Sequence, residues 1–430
     1  MPNRFWLVAV DMGYGHQRAA MPLLPLAEEG RLIIANDYDG IPDTDYRMWH
    51  SAERLYSFVS RLKGRGWLGR MVFAAFDHFQ GIPDLWNGGN QTAPTFQLRQ
   101  IYRRMSEGWG RHLIEKFLAK PLPLITSYFV VAHMAEYWNY PAPVLAIVTD
   151  TDIPRAWAPL DSSASRITYL ASTPWSARRL ELYGVRKENI VLTGFPLPEE
   201  LVGDKDKYAK EYLRRRLTRL DPQGAYRKKY AELIRKHVGT DTKKNKRGAV
   251  SITFAIGGAG AQTELAKDLF GLIELIRRGK ISLNLIAGVS ERAAAKFRGI
   301  VGKAGLTNLL GNGVDIVQAR NKEESYRRFN EVLKTTDVLW TKPSELSFYA
   351  ALGIPIVMSQ SIGAHENRNR EWLLENGAAM DQKNPRRADE WLWAQVESGR
   401  LAEMAMNGFL NLERRGLSNI KKALAKMTNR

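Results

Sequence analysis

A histidine sits inside a glycine turn, Asp11-Met12-Gly13-Tyr14-Gly15-His16, just after the apolar run 5–10 and just before Gln17-Arg18-Ala19-Ala20. A strand that enters Gly-x-Gly and then a helix brings free N–H groups and the positive helix end close to a ligand. His16 adds a ring that titrates near neutral pH, at the sheet edge where open α/β folds bind ligands. Capping the helix is its other use.

Three further segments carry groups suited to chemistry. Gly257, Gly258, Ala259 and Gly260 lie between a strand run and a helical run, where backbone amides can cradle a diphosphate. No Lys-Ser/Thr pair follows, so this is not a P-loop. Thr149-Asp150-Thr151-Asp152 ends another strand run, where a carboxylate can act as a base, orient a sugar hydroxyl, or cap a turn. In Thr341-Lys342-Pro343-Ser344-Glu345, Pro343 suits a first helical turn and Ser344 a cap. Glu345 can then accept both hydroxyls of a ribose, or complement the helix dipole. The loop Gly363-Ala364-His365-Glu366-Asn367-Arg368-Asn369 follows, dense in hydrogen-bonding groups.

Short β-branched runs alternating with helical patterns must position these residues, which signals βαβ units and parallel sheets. Strands are expected at 4–10, 31–36, 123–130, 143–149, 166–171 and 189–192, then at 249–255, 281–287, 313–317, 337–340, 354–359 and 377–380. A chain of 430 residues suits two such domains. The expected division is a first domain over 1–202, a basic insertion or linker over 203–248, a second domain over 249–385 and terminal helices over 386–430. The absence of cysteine rules out disulfides and thiolate chemistry. The run at 5–10 is too short for a signal peptide and nothing spans a membrane, so a cytoplasmic protein is expected.

The net charge of +18 calls for an anionic partner. Residues 203–248 hold sixteen Lys and Arg against six acids, more than half of that excess. Either an anionic membrane surface or a solvated helical face accounts for them. Between Trp49 and Lys120, aromatics including Trp49, Trp67, Trp86 and Trp109 are laced with arginines. Packed helices are the preferred account, a membrane-interface helix the other.

The order of these segments resembles the GT-B glycosyltransferases typified by monogalactosyldiacylglycerol synthase, the processive diacylglycerol glucosyltransferases and the lipid II N-acetylglucosaminyltransferase. The resemblance is carried by Asp11-x-Gly13-x-Gly15-His16-x-x-Ala19, Val130-Val131-Ala132-His133 and Ile147-Val148-Thr149-Asp150 in the first half. Thr193-Gly194-Phe195-Pro196, Gly257-Gly258-Ala259-Gly260, Thr341-Lys342, Gly363, Glu366, Asn369 and Asn376-Gly377-Ala378 continue it in order. It implies two Rossmann-like α/β domains whose parallel sheets face a central cleft. It further implies a metal-independent, inverting transfer from a nucleotide sugar, most simply a UDP-sugar, to a lipid-linked or glycolipid acceptor. No cofactor is implied. His16 would be the base and Asp150 its helper, with Gly13, Gly15 and His133 on the acceptor side. Gly257, Gly258, Ala259, Gly260, Lys342, Ser344, Glu345, Gly363, Glu366 and Asn369 would hold the donor. A place on the inner face of the membrane follows.

Two departures stand out. Phe348 occupies the position of the family's ribose-binding glutamate, leaving Glu345 as the nearest carboxylate, and residues 203–248 have no counterpart. The rival classes are a nucleotide-sugar 2-epimerase of the same fold and a nucleic-acid-binding protein. The first needs more acid/base groups than His16, His133 and Asp150, and the second lacks any recognition motif.

Overall fold

The structure is a computed structural model and describes residues 4–50, 82–83, 85–86, 91–240, 248–255, 271–361 and 363–428. Twelve strands are found among these residues, one in each expected run, in two six-stranded sheets whose neighbouring strands all pair in parallel. The chain is therefore α/β with two Rossmann-like units, as anticipated.

The first sheet has the order β2-β1-β3-β4-β5-β6, built from Phe5–Ala9 (β1), Ala27–Ile34 (β2), Leu124–Thr126 (β3), Val144–Ile147 (β4), Thr168–Ala171 (β5) and Ile190–Leu192 (β6). The second reads β9-β8-β7-β10-β11-β12. It is built from Val250–Ala255 (β7), Ile281–Gly288 (β8), Val314–Gln318 (β9), Val338–Thr341 (β10), Ile356–Met358 (β11) and Ala379–Asp381 (β12). The central strands are buried on both faces, which is why they read as continuous apolar runs rather than alternating ones. In each sheet the order reverses at one place, between β1 and β3 and between β7 and β10. Open α/β folds bind ligands at the carboxyl ends of the strands flanking such a reversal.

Residues 1–196, 362–368 and 415–430 form one compact unit, and 197–361 with 369–414 form the other. The separate insertion expected over 203–248 is thus corrected. Its helix Lys207–Leu220 buries Ala209, Leu213, Arg216, Leu217 and Leu220 in the second unit. Those positions make a helical stripe in which one member is an arginine. The separate terminal block is corrected too. Helix Arg400–Asn411 packs on the 3-10 helix Glu345–Leu352, and helix Gly416–Thr428 joins the first unit, where Asn419 donates to the Thr193 carbonyl at 2.9 Å.

In the described part of the aromatic stretch Trp49 and Trp109 are buried and meet edge to face at 4.7 Å, whereas Trp86 is exposed. Trp67 and its basic neighbours lie outside the described residues. No helix among the described residues is long and apolar enough to cross a membrane.

Two buried arginines fix the loop after β4. Arg179 grips Asp152 with two bonds of 2.8 and 2.7 Å, both side chains being fully buried. Its remaining donors reach Gln91 and the Pro83 carbonyl. Arg155 donates to the carbonyls of Thr92, Ala158 and Pro159. Removing one partner of a buried pair leaves an uncompensated charge and costs about 3–5 kcal/mol. Arg179→Met should therefore lower unfolding free energy by about that much in urea titration, and Arg179→Met/Asp152→Leu should recover part of it. A single-variant loss below about 1 kcal/mol, the scale of an exposed pair, would contradict this account.

Candidate functional site

In the first unit the reversal point is occupied by His16. Ala35 donates to the Ala9 carbonyl, and Asn36 then clamps Asp11, accepting from its N–H at 2.7 Å and donating to its carbonyl at 3.3 Å. This side chain extends the β1–β2 ladder past its end and aims the turn that follows. Gly13 has φ +105°, a conformation that side-chain-bearing residues rarely adopt. Gly15 then opens the helix Gly15–Ala20, with His16 in its first turn.

His16 reaches across to the neighbouring strand. Its Nδ1 lies 2.7 Å from the carbonyl oxygen of Ser127, the residue after β3, and its ring meets Tyr128 edge-on at 4.9 Å. A carbonyl can only accept, so Nδ1 carries the proton and, in the neutral ring, Nε2 carries the lone pair. Burial pushes the Tyr128 phenol up to about 12, so this neighbour stays neutral. Asp150 follows β4, next along the sheet. Every residue from Val144 to Ile153 is buried except Asp150, which is partly exposed. The Thr173 hydroxyl on the Thr151 carbonyl and the Asp152–Arg179 pair hold the loop just after it.

His133 is a correction. It was expected at a strand end on the acceptor side, but β3 stops at Thr126 and His133 lies within the helix Phe129–Tyr137. It is fully buried and its Nε2 donates to the Trp157 carbonyl at 3.1 Å. Burial lowers its pKa from the ordinary 6.5 to about 3, so it is a neutral core residue.

In the second unit the reversal point lies between β7 and β10. The Thr341 hydroxyl donates to the Ala255 carbonyl at 2.9 Å and ties the two strand ends together. Beyond it, Thr341, Pro343 and Leu346 are buried whereas Lys342, Ser344 and Glu345 are partly exposed. Ser344 is the N-cap of the 3-10 helix Glu345–Leu352. The expected donor loop Gly257, Gly258, Ala259 and Gly260 follows β7 and lies outside the described residues. Phe348 is buried against Trp372 with ring centres 5.6 Å apart, so the position that lacks the glutamate is an apolar core position. Asn369 is fully buried and donates weakly to the Pro343 carbonyl at 3.4 Å, bracing the turn that carries Lys342 and Ser344. Gly363 and Glu366 belong by their contacts to the first unit. Glu366 is buried in the first turn of the helix Ala364–Glu375. Among the described residues no group of three or more His, Asp or Glu is placed to hold a metal ion.

Sequence reasoning missed Asn36, Ser127 and Arg179. Each acts through a partner 25 to 111 residues away, and none lies in a motif.

Residues 300–384 match the model of a domain of unknown function, DUF6938, a stretch that contains β9 to β12. No curated protein matches the sequence. Among solved structures the chain is similar to S. aureus MnaA with UDP, at TM-score 0.49 and 11% identity, over 100% of this chain and 97% of that one. It is similar to UDP-GlcNAc 2-epimerase of Methanocaldococcus jannaschii with UDP-GlcNAc and UDP, at TM-score 0.43 and 10% identity, over 99% and 100%. MurG of Acinetobacter baumannii gives TM-score 0.42 and 12% identity over 73% and 77%. Identities this low carry no residue-by-residue correspondence.

The burial of His133 has a measurable signature. The unfolded chain takes up a proton at this ring below pH ~6.5, whereas the folded chain resists down to about 3. The stability tied to its neutral state is whole above pH ~6.5 and is lost as pH falls towards 3, by up to about 1.4 kcal/mol per unit. The stability of wild type relative to His133→Gln should therefore decline across that window in denaturant titrations. A difference independent of pH would mean that water and ligands reach the ring.

Proposed function

We propose that the chain is a glycosyltransferase that moves a sugar from a nucleotide diphosphate donor, with UDP-sugar the first choice, to an acceptor hydroxyl. The observation that carries this is the hydrogen bond from His16 Nδ1 to the Ser127 carbonyl at the first sheet's reversal point. It fixes the tautomer whose Nε2 can take a proton, and it does so where α/β folds bind substrates. In the proposed step the acceptor oxygen attacks the anomeric carbon and its proton passes to His16 Nε2. The bond from that carbon to the diphosphate breaks, and the leaving group departs with the electron pair, so the configuration inverts. Asp150 orients the sugar or the imidazole.

The donor site is assigned to the carboxyl edge of β7 and β10. Lys342, Ser344 and Glu345 emerge there from an otherwise buried turn, and the sequence places Gly257, Gly258, Ala259 and Gly260 after β7. Lys342 and backbone amides meet the charge that develops on the diphosphate. On this basis transfer needs no metal and survives EDTA. Glu345 takes the ribose in place of the position held by Phe348, and Asn369, in the same unit, braces the turn.

A lipid-linked acceptor and a peripheral place on an anionic cytoplasmic membrane surface are supported by the motif order and by the basic segment. Lys205, Lys207, Lys228, Lys229, Arg235 and Lys236 are exposed there. A 2-epimerase would use the same donor site, and products distinguish the two: transfer releases UDP and builds a glycoside, whereas epimerisation returns an altered UDP-sugar.

A general base contributes 10²–10⁴-fold to rate. His16→Ala should therefore cut single-turnover transfer at saturating donor by at least about a hundredfold, with UDP affinity within about twofold of wild type. Near-normal transfer by His16→Ala beside a dead Asp150→Asn would move the base to Asp150.

A further inference from the structure

Arg216 lies in the segment that the sequence offered only as surface charge, yet it is one of the largest fully buried side chains of the protein. It sits on the buried stripe of the helix Lys207–Leu220 and directs its donors to backbone carbonyls. Nε donates to Thr336 at 2.8 Å, and Nη1 donates to Leu352 at 3.1 Å and Gly353 at 2.9 Å. These partners are 120, 136 and 137 residues away in sequence. Thr336 comes two residues before β10, and Leu352 and Gly353 close the 3-10 helix that follows it. One guanidinium thus holds both ends of the stretch 336–353, whose middle is the turn Thr341–Glu345.

The surroundings reinforce the grip. Arg219, one turn on, binds buried Asp337 with two bonds of 2.6 and 2.7 Å, and Asp337 accepts from the Ser251 N–H of β7. The Thr336 hydroxyl pairs with that of Thr253 at 2.7 Å. Gly353 has φ +71°, and a Cβ there would lie 2.8 Å from a methyl of Leu213 of the same helix, so this side chain packs directly on the Gly353 backbone. The carbonyls at the end of a helix need donors from elsewhere, and a cation is the favoured one.

We infer that Arg216 is a positioning residue for the donor site: by holding Thr336 and Leu352–Gly353 together it sets how the turn carrying Lys342, Ser344 and Glu345 meets a nucleotide diphosphate. Because this role matters only if that turn binds the nucleotide, it rests on the donor site proposed above.

The test uses the full chain, with UDP as the probe. Arg216→Met is compared with Arg214→Met, a variant on the same helix whose arginine donates to the Val238 carbonyl, outside 336–353. Melting temperature, UDP affinity well below the melting temperature, and hydrogen exchange at 341–347 are measured for each. Arg216→Met should weaken UDP binding by at least about tenfold and accelerate exchange at 341–347, whereas Arg214→Met should do neither even if it melts earlier. An Arg216→Met protein that melts early yet binds UDP normally and exchanges normally at 341–347 overturns the inference. If Arg216→Met does not fold, Arg216→Lys, which keeps the charge and loses the fork, takes its place and should show the same changes in smaller measure. Wild-type behaviour of Arg216→Lys in both readouts overturns the inference equally. Should wild type itself not bind UDP, the donor assignment fails, and the exchange data alone decide whether Arg216 holds the turn.

Discussion

In a parallel sheet every strand finishes on the same edge, and each chain leaving that edge must cross back over one face before it can pair again. Where successive crossovers go to opposite sides, two neighbouring strand ends are left with no connection running over them. That constraint acts twice in this protein, at β1/β3 and at β7/β10. The groups best suited to chemistry are found at both places. At the first, a histidine bridges the gap to a backbone carbonyl; at the second, a threonine hydroxyl ties the strand ends and a turn carrying Lys342 and Glu345 begins.

Much of this was legible because buried parallel strands are apolar and β-branched over several residues, and all twelve expected runs contain a strand. The glycine turn before His16 was legible as a turn because Gly-x-Gly between a strand run and a helical run marks where the backbone bends sharply. The misreadings have local causes. Phe129-Val130-Val131 looks like the continuation of a strand, but tertiary packing makes it the start of a helix and carries His133 into the core. The clamp of Asn36 on Asp11 and the bond from His16 to Ser127 join residues 25 and 111 positions apart, which no local pattern encodes.

The basic residues taught a second lesson. A surplus of +18 invites an account in terms of surface and partner, yet Arg155, Arg179 and Arg216 are buried. Each donates to backbone carbonyls outside the strands. Removing a guanidinium from water is costly unless its fork is filled, and irregular backbone that leaves a sheet edge offers the carbonyls to fill it. Burial draws Arg216 down only to about 10, with Asp337 opposing the fall, so it stays charged at neutral pH. In this protein part of the positive charge is therefore interior scaffolding and not surface.

The central claim is that a nucleoside diphosphate lies across the carboxyl edge of β7 and β10. The most direct measurement is a crystal structure of the full chain with UDP. The account predicts diphosphate density at that edge, within hydrogen-bonding reach of Lys342 and of the backbone after Ala255. UDP bound elsewhere on the protein, or no UDP at a concentration that saturates binding in solution, would contradict it.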